Sequence, residues 1–243
     1  MRVACLNIHG GRCGTGAKRP SLPRIADLLR SVSPDVVLLQ EVDRRLPRSG
    51  FADQAGLLAR AMRQGDAGDW YWTFHGRLDF GLLGSFGNAV LSREPFTDTR
   101  RVALPSGGGE PRGAVGVVFA GDMPAIVYTT HLGLRDSWRE MQLAALADAV
   151  VADRQNGYAV LVGGDFNAPP DAPEIARFVE RTGLAPVSPD APTFPASEPA
   201  HRIDFLFATS GAIVADAGVV ADANATDHAL IWADVSFVAG CTP

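Results

Sequence analysis

The stretch "LVGGDFNAPPD", Leu161 to Asp171, decides how the rest of the chain is read. An apolar run from Tyr158 to Val162 ends in Gly163 and Gly164. Asp165 and Asn167 follow, one phenylalanine apart, and Pro169 and Pro170 stop the chain. The run predicts a buried strand. Asp and Asn are depleted in strands and costly to bury unpaired, so a strand that ends on both must meet partners there. Side chains at i and i+2 share a face, which aims Asp165 and Asn167 into one pocket.

The same pattern recurs along the chain. Asn7 closes "RVACLNI", Glu41 falls late in "DVVLLQEVD", and His131 closes "IVYTT". Asp204 interrupts "RIDFLF", and Asp227 and His228 precede "ALIWADV". Each is a metal ligand, a proton carrier or a hydrogen-bonding amide. One such break is usually a satisfied core group; so many at the same kind of position imply one shared cleft. Carboxylate and amide oxygens suit a hard cation such as Mg²⁺ that keeps several waters. With no cysteine cluster, the set fits metal-assisted attack on phosphate better than a closed zinc site.

Around these ends the chain alternates strands and helices. After "RVACLNI" comes a Gly-rich loop, Gly10 to Arg19. It is not a P-loop, because Ala17 stands where lysine is required and no Ser or Thr follows Lys18. Ser21 is placed to cap a helix carrying Ile25, Leu28, Leu29 and Val32, which Ser33-Pro34 ends. "DVVLLQEVD" is a strand and "DQAGLLARAM" a short helix from Asp53. "WYWTFHG" and "GNAVLSR" are strands flanking a mobile loop, Leu78 to Gly87. "LPSGGGEPRG", Leu104 to Gly113, is a hairpin or loop before the paired strands "AVGVVFAG" and "AIVYTTHLG". Ser137 to Arg154 forms the longest helix, with Trp138, Met141, Leu146 and Val150 on one face. "APEIARFVER" is a further helix, and "RIDFLFAT" and "HALIWADVSF" are late strands. This order predicts two packed sheets flanked by helices, and no linker-like stretch divides residues 1–243 into more than one domain.

Composition narrows the class. The chain has 243 residues, 47% hydrophobic and 20% charged, with net charge −5, which supports a sizeable core in a globular protein. Mild acidity without basic runs disfavours duplex DNA as partner, while single-stranded nucleic acid stays open. Three cysteines make no disulfide framework; Cys5 reads as a core residue and Cys241 as a tail residue. No apolar run approaches the roughly 18 residues of a membrane span, and "MRVACLNIHGG" lacks a signal peptide's apolar region. The expectation is a cytoplasmic protein with no obligate protein partner.

"LNIHGG", "PDVVLLQEVD", "GNAVLSR", "TTHLG", "GGDFNAPPD", "RIDFLF" and "TDH" occur in an order that resembles the endonuclease/exonuclease/phosphatase family, over Val3 to Val235. The resemblance implies a DNase I-like four-layer α-β-β-α sandwich, two mostly antiparallel sheets covered by helices. It implies Glu41 as acidic metal ligand, Asn7 helping to fix metal and phosphate, and Asp227 near the metal. It implies one or two Mg²⁺ or Mn²⁺ ions. Asp165 and Asn167 match the pair that holds the attacking water or nucleophile and the scissile phosphate. His228 matches the histidine held by a carboxylate, here Asp204, and His131 the second phosphate-facing histidine. An imidazole oriented by a carboxylate suits proton transfer near neutral pH.

Departures refine this. His9 stands where many nucleases of the family have Asp or Asn, and "GDFNAPP" differs from the inositol 5-phosphatase version. Asn88, His9 and Arg112 are candidate substrate contacts, and Phe80 and Phe86, beside loop glycines, are candidate specificity residues. Trp70, Trp72 and Phe74 read as core positions, and His75 and His201 as loop or surface residues. The expected activity is divalent-metal-dependent hydrolysis of a phosphodiester or phosphomonoester by in-line attack of water. A small or lipid-derived phosphoester is favoured. The alternatives are an endonuclease or exonuclease acting on DNA or RNA, and an inactive ligand-binding family member.

Overall fold

A computed structural model describes residues 1–15, 21–63, 68–81 and 84–238. In chain order the elements are β1 Arg2–Asn7, α1 Leu22–Ser31, β2 Val36–Arg44, α2 Gln54–Met62, β3 Tyr71–Asp79, β4 Ser85–Ser92, β5 Asp98–Leu104 and β6 Arg112–Phe119. They continue with β7 Ala125–His131, α3 Asp136–Gln155, β8 Ala159–Asp165, α4 Pro173–Thr182, β9 Leu184–Pro186, β10 Asp204–Thr209, β11 Ile213–Val220 and β12 Leu230–Ser236. The strands form two six-stranded sheets, β11-β12-β1-β2-β4-β3 and β5-β6-β7-β8-β10-β9. Each sheet is antiparallel except at one central pair: β1 with β2, and β7 with β8. Helices α1 and α2 cover the first sheet, and α3 and α4 the second, giving the expected four layers.

Strand periodicity explains both the layering and the site. Ala4 and Leu6 of β1 and Val37 and Leu39 of β2 pack under α1 and α2, while Val3, Cys5, Val36 and Leu38 face the other sheet. In the second sheet Ile126, Tyr128, Val160, Val162, Phe205 and Phe207 pack under helices, and Val127, Leu161, Leu206 and Ala208 face inward. With a period of two, the inward rows run on to Asn7, Gln40, His131, Asp165 and Asp204. All five are buried. The apolar core between the sheets therefore turns polar at one end.

Gly163 and Gly164 now have a physical reason. A Cβ on Gly163 would lie 2.5 Å from Leu206 Cδ2 and 2.6 Å from Leu38 Cδ1, so its absence lets the sheets approach. Gly164, at φ +155°, would place a Cβ 2.0 Å from the Thr130 carbonyl oxygen.

Several sequence readings are corrected. Ser21 precedes α1 without capping it through its side chain, because its hydroxyl bonds the Ala225 and Gly11 carbonyls instead. Met141 is exposed; the buried face of α3 carries Gln142, Leu143, Leu146, Ala147 and Val150. The loop expected from Leu78 to Gly87 is largely strand, with β3 running to Asp79 and β4 starting at Ser85, and residues 82–83 lie outside the described ones. Residues 16–20 of the Gly-rich loop and Cys241 also lie outside them. His75 sits within β3, half-buried, rather than in a loop. Trp70 and Phe74 are buried and Trp72 packs against the same cluster, as read. Among the described residues no helix is long and apolar enough to cross a membrane.

Two measurements follow. Gly164→Ala forces a Cβ onto backbone, and is expected to destabilise the fold by about 2 kcal/mol or more in urea unfolding. Burial, then Arg77 and Arg101, lowers the His75 pKa from 6.5 to about 4. The unfolded chain therefore takes up this proton first, and the stability held above pH 6.5 declines as pH falls toward 4. Replacing His75 by Gln removes that part of the slope, read by comparing unfolding midpoints of the two proteins across the same pH window.

Candidate active site

Three adjacent strands of the second sheet present His131, Asp165 and Asp204 in one row, since His131 pairs with Asp165 and Asp165 with Asp204. Two carboxylates directly opposite on one face repel. The ring of His228, carried on the connection into β12, comes between them. Its Nδ1 lies 2.9 Å from Asp204 Oδ2 and its Nε2 3.7 Å from Asp165 Oδ2. Burial alone would lower the His228 pKa, but Asp204, through charge and hydrogen bond, then Asp165 and Asp227, carry it up to about 10. The ring is thus held between Asp204 and Asp165, whose charges favour its protonated form. Thr193 Oγ1 donates to Asp204 Oδ2 at 2.6 Å, and Phe194 packs on the ring with centroids 4.8 Å apart.

Asp165 is the meeting point of the two sheets. Its Oδ2 accepts from Asn7 Nδ2 at 3.0 Å and lies 3.4 Å from His131 Nε2, while Oδ1 accepts from the Asn167 backbone N–H at 2.9 Å. Burial raises its pKa against the pull of His228. His131 stays neutral: burial, then Arg112 and His228, hold it well below the ordinary histidine range. Arg112 Nη1 lies 2.9 Å from His131 Nδ1. A guanidinium can only donate, so Nδ1 accepts and the proton sits on Nε2, facing Asp165.

Glu41 reaches the site through a distortion. Gln40 already points inward, where its Nε2 donates to Thr129 Oγ1 of the other sheet at 2.7 Å. The β2–β4 register then slips between Leu39 and Val42, and Glu41 adopts φ +55°. Such a bulge re-aims a side chain. Asn7 Nδ2 donates to Glu41 Oε1 at 3.2 Å. No ion pair neutralises Glu41 among the described residues. Asn167 also has a positive φ, +49°, and its Nδ2 donates to the Leu132 carbonyl at 3.0 Å.

Asp227 lies at the rim. Its Oδ2 is 3.2 Å from His9 Nδ1, and neighbouring Thr226 donates to the Asn7 carbonyl at 2.9 Å. The His9 N–H donates to Asn7 Oδ1 at 3.0 Å. Asn88, a candidate substrate contact, lines a small recess with Glu41 and His131, and its Nδ2 donates to the Gly113 carbonyl at 2.9 Å.

The structure thus brings Asn7, Glu41, His131, Asp165, Asn167, Asp204 and His228 together, with Asp227 and His9 alongside. Arg112 stands behind His131. Sequence reading missed Thr193 and Phe194, which lie between β9 and β10 with no pattern to mark them. It also missed Gln40, whose only signal was a polar residue on an inward position. Ligand atoms of Asp165, Asp204 and His228 lie within 4.8 Å of one another, a spacing that could hold a cation. Carboxylates, imidazoles and amides in one buried cluster can orient water, hold an oxyanion and move a proton.

A family model described as "Endonuclease/Exonuclease/phosphatase family" matches residues 4–228. The uncharacterized protein YbhP of Escherichia coli (strain K12) is 34% identical over 180 residues, covering 69% of this chain. The chain spans 66% of that relative's length, just under two thirds. Among solved structures, an endonuclease/exonuclease/phosphatase from Beutenbergia cavernae superposes with TM-score 0.81 at 27% identity, over 98% of this chain and 71% of that one. The human Nocturnin catalytic domain, solved with bound sulfate, gives 0.77 at 20%, over 98% and 94%. A Bacteroides thetaiotaomicron mannosyl-6-phosphatase gives 0.75 at 16%, over 98% and 100%. The last two share the fold at identities too low to carry more.

Asn88→Ala removes a buried bond between the two sheets and leaves the Gly113 carbonyl with only the longer bond from Thr130 Oγ1 at 3.5 Å. It is expected to cost about 1–2 kcal/mol in urea unfolding.

Proposed function

The chain belongs to the endonuclease/exonuclease/phosphatase family, and from that premise we propose that it is a divalent-metal-dependent phosphoesterase, hydrolysing a phosphodiester or phosphomonoester by in-line attack of water. The carrying observation is the convergence on Asp165 Oδ2, in the second sheet, of its neighbour His131 and of two groups from the first sheet's side, Asn7 of β1 and His228 before β12.

The residues fit a hard cation. Glu41 offers a half-buried carboxylate without an ionic partner among the described residues, beside the Asn7 amide. Oxygen donors of this kind suit Mg²⁺ or Mn²⁺. The alternative trio of Asp165, Asp204 and His228 is already committed to an internal ion pair, and a cation there would compete with the imidazolium. Glu41 and Asn7 would hold the ion, which when bound would supply positive charge against phosphate oxygens.

The protein's own groups carry the other roles. Asp165 is the carboxylate placed to orient the attacking water and take its proton. Asn167 spends its Nδ2 on Leu132 and keeps its Oδ1 for a water or substrate donor. His228, fixed by Asp204, stays cationic and stabilises charge growing on the phosphoryl group. His131 keeps its Nε2–H toward Asp165, its tautomer set by Arg112, where a phosphate oxygen beside that carboxylate can share it. Thr193 holds Asp204 and acts through it as a positioning residue.

Purified protein with Mg²⁺ or Mn²⁺ is expected to hydrolyse bis-p-nitrophenyl phosphate or p-nitrophenyl phosphate, and EDTA to abolish turnover. His228→Ala and Asp165→Asn, with wild-type circular dichroism, are each expected to lower kcat by about a hundredfold or more. Turnover that survives EDTA, or that His228→Ala leaves untouched, overturns the assignment. So does the absence of turnover by wild type on both classes of ester.

A further inference from the structure

A cleft of about 530 Å³ opens outward from Glu41 and His131. That is the size of a small-molecule pocket rather than a duplex groove. One wall is the segment after β2, with Leu46 and Arg48; another is the β3–β4 hairpin, with Leu78, Phe80 and Phe86. Arg12 lies on the remaining side. Leu78 pairs with Phe86 across the hairpin, and the Phe80 N–H bonds the Gly84 carbonyl at 2.8 Å, which fixes Phe80 at the mouth. Phe80 is 51% exposed there.

The arginines of this cleft are mostly spent. Arg48 grips the fully buried Asp43 carboxylate through Nε at 2.9 Å and Nη2 at 2.6 Å, and stacks over the Phe86 ring at 4.8 Å. Arg112 is held by His131 and lies 3.4 Å from Glu110. Arg12 alone has no carboxylate partner among the described residues; its Nε bonds the His9 carbonyl. Among the described residues three arginines thus face three carboxylates, Asp43, Glu41 and Glu110. A surface so nearly neutral does not hold an extended polyanion, whose affinity rests on neutralising many phosphates. Among the described residues it offers one cation without a carboxylate partner, Arg12, and an apolar wall of Leu46, Leu78, Phe80 and Phe86.

We propose that this cleft, resting on the phosphoesterase reading above, is the subsite for the apolar organic group of a small phosphoester, with Phe80 and Phe86 as its specificity-determining residues. An aryl-sized group enters against the two phenylalanines while the phosphoryl group reaches Glu41 and His131, and Arg12 meets the substrate's remaining negative charge.

The test compares p-nitrophenyl phenyl phosphate with p-nitrophenyl methyl phosphate, which share a leaving group, and measures binding of phenylphosphonate against methylphosphonate by titration calorimetry with Mg²⁺. Wild type is expected to favour phenyl over methyl by about tenfold in kcat/KM and in affinity. Phe80→Ala, at an exposed position that leaves packing intact, brings both ratios toward parity, and Phe86→Ala does the same. Parity in wild type, or a preference that survives both substitutions, overturns the subsite while leaving the hydrolase standing. A phosphonate preference without turnover of either ester upholds the subsite and sinks the hydrolase. Faster hydrolysis of a single-stranded oligonucleotide than of the phenyl ester overturns the subsite.

Discussion

A carboxylate buried between two sheets must be compensated on every side, and Asp165 is that carboxylate. Removing its charge from water costs several kcal/mol unless hydrogen bonds and opposite charge offset it. Asp204 sits directly across on the neighbouring strand and makes the cost larger. The imidazolium of His228 between the two carboxylates, the Asn7 amide from the opposite sheet and the Asn167 N–H together meet the need. None of these comes from the same strand as Asp165. The requirement can be met only if β1, β7, β8, β10 and the turn before β12 end at the same level, so the electrostatics of one side chain and the alignment of two sheets are a single condition.

That condition explains why so much was legible in the sequence. Inward positions of a strand repeat every second residue, and an apolar row that ends in Asn, His or Asp announces itself. The rows Val3-Cys5-Asn7 and Leu161-Gly163-Asp165 show it plainly. Helices α1, α2 and α4 were readable from their spacing for the same reason. What escaped notice lacked such contrast. β5 and β11 are largely exposed edge strands without an apolar row, and β9 has only three residues. Met141 looked like a core residue because helix α3 buries Arg139 and Gln142 through specific bonds instead. Thr193 works from an irregular segment, where spacing carries no information. Glu41 was identified by type, yet its aim depends on a bulge that a single sequence does not display.

The buried polar cluster and the cleft beside it stand on different parts of the scaffold. The polar cluster stands on strand ends backed by the inter-sheet core, where rotamers are locked by packing. The cleft beside it is walled by hairpin and turn residues, which can change without disturbing that core. Arg112 joins the two regions. It starts β6, contacts His131 through Nη1, and is followed by Gly113, whose carbonyl receives Asn88. The hairpin before it is shaped around Trp138 of α3, since a Cβ on Gly107 or Gly109 would strike the indole at 2.3 Å. Helix α3 thereby sets where a cleft wall can lie.

The pairing of β1 with β12 carries a consequence for synthesis. Strand β1 finds one of its two neighbours only when β12 follows, more than 220 residues later, and the Thr226–Asn7 bond spans 219 positions. Translation at about 5–20 residues per second leaves a nascent chain that holds Asn7, Glu41 and Asp165 for several seconds before Asp204 and His228 emerge. Throughout that interval Asp165 lacks the imidazole ring that offsets its burial, so the charge balance of the polar cluster is completed only when the β11–β12 hairpin docks.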